Sequence, residues 1–127
     1  MRIPGKTVNG EHAEVSCDFY HTYREDIALM AQMGIKAFRF SFSWPRIIPL
    51  GYGKVNEQGI QFYSDMINCL LEHGIEPYAT LYNWDLPLEL QTAHDGWLNP
   101  KTSGIERFLW SESLHHHVCG QLERYYC

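Results

Sequence analysis

No cluster of lysine and arginine stands out in these 127 residues, and 15 acidic against 10 basic side chains leave a formal charge of −5. A grip on a phosphate backbone is missing, so nucleic acid is not an expected partner. Also lacking is any run of roughly 18 consecutive apolar residues, the length a membrane-spanning helix needs, and no membrane is expected. The opening Met1-Arg2-Ile3-Pro4-Gly5-Lys6 has no apolar stretch of the export-signal kind, which points to a cytoplasmic protein. Cysteines are few, at four (Cys17, Cys69, Cys119, Cys127), and in a reducing compartment they are expected as free thiols. No phosphate-cradling G-x-x-x-x-G-K-S/T pattern surrounds Gly51 or Gly53. Length is short as well: a closed (β/α)₈ barrel takes about 250 residues, so this chain does not close one alone.

What is present is a repeated helix–strand unit. Between Asp18 and Met33, residues Tyr20, Tyr23, Ile27, Met30 and Ala31 fall at the helical period, and Gly34 follows where a left-handed residue would close the helix. The stretch from Ile35 to Phe42 is rich in strand formers and ends before Trp44-Pro45, where proline discourages further pairing. After a loop punctuated by Pro49, Gly51 and Gly53, the pattern recurs. Ile60, Tyr63, Ile67, Leu70 and Leu71 line one face of a helix from about Asn56 to His73, Gly74 stops it, and a strand from Ile75 to Leu81 follows. The shared Gly-Ile junctions, at Gly34-Ile35 and Gly74-Ile75, mark a supersecondary repeat. Tandem helix–strand units imply parallel strands with right-handed crossovers. So few strands leave a parallel sheet short of neighbours, which points to a partner chain or a larger α/β architecture.

Ligands of parallel α/β proteins meet the carboxyl ends of the strands. The first strand delivers Arg39, Ser41, Ser43, Trp44 and Arg46 there, and the second delivers Tyr82, Asn83, Trp84 and Asp85. Indole faces stack on sugar rings, and Arg, Asn and Asp supply the directional hydrogen bonds that hydroxyls require. Packing and loop anchoring are the competing role for the same residues. Asp85 and Glu89 lie four apart and would point in one direction rather than across a bond, so Asp85 is expected to fix a loop. Glu25-Asp26 is expected to be a solvated or helix-supporting pair. His21, His73 and His94 have no neighbouring nucleophile in sequence. Three consecutive histidines, His115-His116-His117, do not readily converge on one ion with Cys119, so no metal site is expected.

Four segments in order, Asp18 to Ile27, Phe38-Arg39-Phe40-Ser41-Phe42-Ser43-Trp44-Pro45-Arg46-Ile47, Gly74-Ile75-Glu76-Pro77 with Thr80-Leu81-Tyr82-Asn83-Trp84-Asp85-Leu86-Pro87, and Gly96-Trp97-Leu98-Asn99, resemble glycoside hydrolase family 1, the β-glucosidases. The resemblance runs from about Gly5 to Thr102. It implies an α/β fold that is an incomplete TIM (β/α)₈ barrel, comprising the first helix, second strand, second helix and third strand. Residues 1–102 would be this partial barrel and 103–127 a tail that leaves the family pattern.

Family members hydrolyse terminal β-D-glucosides with retention, using one glutamate as acid/base and another as nucleophile, with no metal or organic cofactor. The family's Thr-x-Asn-Glu-Pro and Thr-Glu-Asn-Gly motifs, which carry those glutamates, do not occur in these residues. The chain alone is therefore expected to be inactive and only marginally folded, with exposed edges that favour self-association. What carries over is supporting: Arg39 matches the arginine that holds the nucleophile carboxylate, and Trp84 matches a tryptophan at the sugar. Asn83 stands where most members have a histidine that donates to a sugar hydroxyl. The Ser43-Trp44-Pro45-Arg46 form leans toward plain rather than 6-phospho-β-glucosides. A small-molecule β-glucoside is the ligand implied for a full-length relative. After Thr102, Trp110, the three histidines and two cysteines suggest a displaced reading frame. The alternative is a non-catalytic α/β sugar-binding or interaction module using Arg39, Trp44 and Trp84.

Overall fold

The computed structural model describes residues 16–100 and 102. Helix α1 spans Phe19–Gln32 and buries Tyr23 and Ile27, one turn apart on a single face. Strand β1 covers Ala37–Ser41, and a short helix, α2, covers Trp44–Ile47. Helix α3 runs over Glu57–Glu72, strand β2 over Glu76–Thr80 and helix α4 over Leu88–His94, followed by a 3₁₀ turn at Gly96–Leu98.

The two Gly-Ile junctions are the same device used twice. Gly34 takes φ 78° and Gly74 φ 68°, the left-handed region that glycine enters without a Cβ penalty. At each, two amides turn back onto the last helical turn: Gly34 N donates to Ala31 O and Ile35 N to Met30 O, while Gly74 N donates to Leu71 O and Ile75 N to Leu70 O, at 2.9–3.1 Å. This Schellman closure satisfies carbonyls that the helix end would leave open.

β1 and β2 pair in parallel, in register from Ala37↔Glu76 to Ser41↔Thr80. Among the described residues the sheet has these two strands and is not closed. The strands are shorter than the sequence predicts because only their middles pair. Proline at the start of α2 does more than end a strand, since its fixed φ suits a first helical turn and Trp44–Ile47 coils there.

The core lies between the sheet and α1 and α3. On α3 the buried set is wider than the predicted stripe, adding Phe62, Met66 and Cys69 to Ile60, Tyr63, Ile67 and Leu70, because α1, α2 and β2 pack on it from several sides, while Leu71 of that stripe is half-buried. Phe40 from β1 and Phe42 just past its end meet Tyr63, the latter edge-to-face at 4.7 Å, and Phe38 approaches Phe19 at 5.9 Å. Such ring pairs add about 0.5–1.5 kcal/mol each beyond burial. Cys17 is exposed and Cys69 buried, both as free thiols. The predicted tail, 103–127, lies outside the described residues, as do His115, His116, His117, Cys119 and Cys127.

Candidate functional site

Alternation along β1 sends Phe38 and Phe40, and Phe42 just past the strand, toward the helices and leaves Arg39 and Ser41 on the opposite face. The neighbouring strand contributes Thr80, and the loop after it contributes Asn83. Arg39, Phe40, Ser41, Thr80 and Asn83 line one open cavity of about 310 Å³. Arg39 Nε donates to Thr80 Oγ1 at 2.9 Å, which fixes the root of the guanidinium while its outer edge remains for a further acceptor. Among the described residues no carboxylate pairs with Arg39.

Trp84 follows Asn83 in the chain and is 91% exposed, with φ 61°. A bulky residue avoids that region, and its occupancy by an exposed indole marks a ring held outward by the surrounding loop. Asp85 supplies the hold: its Oδ2 accepts the Trp44 amide at 2.6 Å and its Oδ1 accepts the Asn83 amide at 3.3 Å. Asp85 thus fixes the loop, as predicted from sequence. Glu89 lies exposed on α4, and Asp26 accepts the Thr22 hydroxyl at 2.9 Å within α1.

Three expected members of the site belong elsewhere. Trp44 is only 2% exposed, so its ring is a core group, and its indole N–H has no acceptor among the described residues. Arg46 lies over the rings of Tyr20 at 4.5 Å and Phe62 at 5.1 Å, on the helix side of the sheet. Ser43 offers its amide to the Tyr63 hydroxyl at 2.7 Å, so it too braces the core. Burial pushes the Tyr63 hydroxyl up from its ordinary value despite the Ser43 amide and Arg46, which pull it down.

The sequence reading passed over Thr80 as a functional residue. The sheet register sets Thr80 beside Ser41 at the carboxyl end of the pair, one position off the match that aligning the two Gly-Ile junctions gives, so the repeat did not signal it. Tyr82 also has a defined task, accepting the Trp97 indole N–H at 3.1 Å and bracing the loop edge-to-face at 5.0 Å. A larger hollow of about 500 Å³, between Pro49 and Gln58, shares no residue with the strand-end cavity. Among the described residues, no group of three or more His, Cys, Asp or Glu side chains could hold a metal ion, and no helix is long and apolar enough to cross a membrane.

This arrangement offers a planar cation, hydroxyls, an amide and an exposed indole at one strand-end rim, which suits a polyol with an apolar C–H face. It carries no carboxylate poised for proton transfer or nucleophilic attack, because both Asp85 oxygens are engaged by amides.

The chain resembles known proteins over most of its length. The model of glycosyl hydrolase family 1 matches residues 1–118. Beta-glucosidase 4 of rice (Oryza sativa subsp. japonica) is 59% identical over 97 residues, covering 76% of this chain and 20% of that protein. The aryl-phospho-beta-D-glucosidase BglC of Bacillus subtilis is 54% identical over 95 residues, covering 75% of this chain and 20% of the relative. A beta-glucosidase from Thermotoga maritima, solved in complex with glucoimidazole, superposes with a TM-score of 0.87 at 42% identity, over 94% of this chain and 27% of that one. The chain thus spans about a fifth of the length of the curated relatives it matches.

Proposed function

Because the chain belongs to glycosyl hydrolase family 1, we propose that it carries the second- and third-strand portion of a retaining β-glucosidase barrel, here β1 and β2, and with it part of the glycone site for terminal β-D-glucosides. The observation behind this reading is the cavity that brings Arg39, Ser41, Thr80 and Asn83 together beside an outward Trp84. In the complete enzyme, the Arg39 guanidinium would hold the nucleophile glutamate ionised and aimed, since a fixed positive fork stabilises the carboxylate form. Asn83 would meet a glycone hydroxyl through its amide, and the Trp84 face would stack on the ring.

These 127 residues contain neither glutamate motif, so the polypeptide binds but does not hydrolyse. Retention requires two carboxyl groups about 5–5.5 Å apart across the scissile bond, one to protonate the leaving oxygen and one to form the glycosyl-enzyme. Removing both leaves no route for either step. Exposed Leu29, Met33, Leu81 and Leu98 give the isolated chain apolar surface through which it associates.

The test is a titration of the chain with methyl β-D-glucoside, followed by tryptophan fluorescence, beside an assay with p-nitrophenyl β-D-glucoside. Saturable quenching that disappears in Trp84→Ala, with no release of nitrophenol, is the expected result. Hydrolysis above buffer by the purified chain, or quenching that survives Trp84→Ala, would overturn the reading.

A further inference from the structure

We propose that Asp85 is a positioning residue of this site, whose carboxylate sets where Asn83 and Trp84 stand by tying the loop after β2 to the first turn of α2. The proposal rests on the reading of the strand-end cavity as a glucoside site. The carboxylate works as a two-pronged acceptor. One oxygen takes the Trp44 amide at 2.6 Å and the other takes the Asn83 amide at 3.3 Å. The first of these is a helix-start donor with no acceptor inside its own helix, so a charged acceptor satisfies it well.

Trp84 lies between Asn83 and the residue that supplies the carboxylate, and its left-handed φ of 61° is what turns the indole out to 91% exposure. A strained backbone of this kind persists only where its surroundings over-determine it. Here the over-determination is local and visible. Asp85 anchors one side of Trp84 to α2, whose own Trp44 is buried in the core, and holds the other side through the Asn83 amide. The sugar-facing residues are thereby referenced to the core rather than to the loop alone. Because both oxygens are occupied, Asp85 acts through its neighbours and not on a substrate.

The experiment compares indole and side-chain amide resonances of the ¹⁵N-labelled chain with those of Asp85→Ala, Asp85→Asn and Asn56→Ala. Asn56 Nδ2 ties a different stretch, donating to Arg46 O at 2.9 Å, and serves as a control for loosening of the fold in general. In Asp85→Ala the Trp84 indole and Asn83 amide signals move and broaden, and methyl β-D-glucoside affinity falls about tenfold, the equivalent of one charge-assisted hydrogen bond. Asp85→Asn, which keeps one carbonyl acceptor, restores part of both. Asn56→Ala lowers the unfolding midpoint but leaves those two signals and the affinity unchanged.

Unmoved Trp84 and Asn83 signals in both Asp85 variants would overturn the proposal. So would equal displacement in Asn56→Ala, or a wild-type spectrum in which the Trp84 indole is not dispersed. Should the wild type fail to bind the glucoside while the signals respond to Asp85 as described, the glucoside reading falls and the positioning role stands.

Discussion

Along β1 and just past its end, neighbouring residues have opposite fates. Phe38, Phe40 and Phe42 enter an aromatic layer with Phe19, Phe62 and Tyr63, while Arg39 and Ser41, on the other face, border an open cavity. The first group is finished within this chain: its rings are packed against one another and against α3. The second is only half furnished, since Arg39 has Thr80 for a partner and, among the described residues, no carboxylate. The contrast separates what these residues stabilise from what they present. Packing is concentrated on the helix side, and recognition chemistry on the strand-end side.

The contrast is broken most severely from the packed side. Leu70 is fully buried on α3, and Leu70→Ala is expected to lower unfolding stability by about 2–5 kcal/mol in a urea titration, since the cavity it leaves collapses only in part. Tyr63→Phe comes next. It removes the hydroxyl that accepts the Ser43 amide, and the unpaired donor costs about 1–3 kcal/mol.

High pH acts on the same side. Burial raises Tyr63 and Tyr23 above 10.0 and Cys69 above 9.0, so the folded chain keeps protons that the unfolded chain releases. Their contribution is fully present below those ordinary values and is lost as pH rises through the raised folded ones. Denaturation midpoints measured from about pH 8 to about pH 11 should therefore fall, less steeply in Tyr63→Phe.

The smallest effect on stability belongs to the rim. Trp84→Gly relieves a left-handed backbone that glycine adopts freely, so the unfolding midpoint should stay level or rise, by at most about 1 kcal/mol, while glucoside quenching disappears. A large loss of stability in Trp84→Gly would erase the distinction between the two sides.

Much of the packed side was legible in the sequence because it follows from local rules. Gly34 and Gly74 announced helix ends, and the Ile27 and Ile67 periods announced the buried faces. The rim was harder to read, since a tryptophan beside a proline and one beside an aspartate look alike in sequence. Trp44 went into the core because α2 coils and turns it inward, whereas Trp84 went outward because Asp85 holds its backbone in a left-handed turn. Arg46 was equally ambiguous until the α1 and α3 rings were seen to surround it. Such outcomes depend on contacts between distant segments, which no spacing within one motif encodes.

The most direct measurement places residues 16–100 of this chain into the corresponding segment of a complete family 1 β-glucosidase and follows hydrolysis of p-nitrophenyl β-D-glucoside, with and without Arg39→Ala. The account predicts a chimera that hydrolyses with retention of configuration, and a kcat about a hundredfold lower once Arg39 no longer aims the nucleophile. A folded chimera that is inactive, or one whose turnover is indifferent to Arg39→Ala, would contradict it.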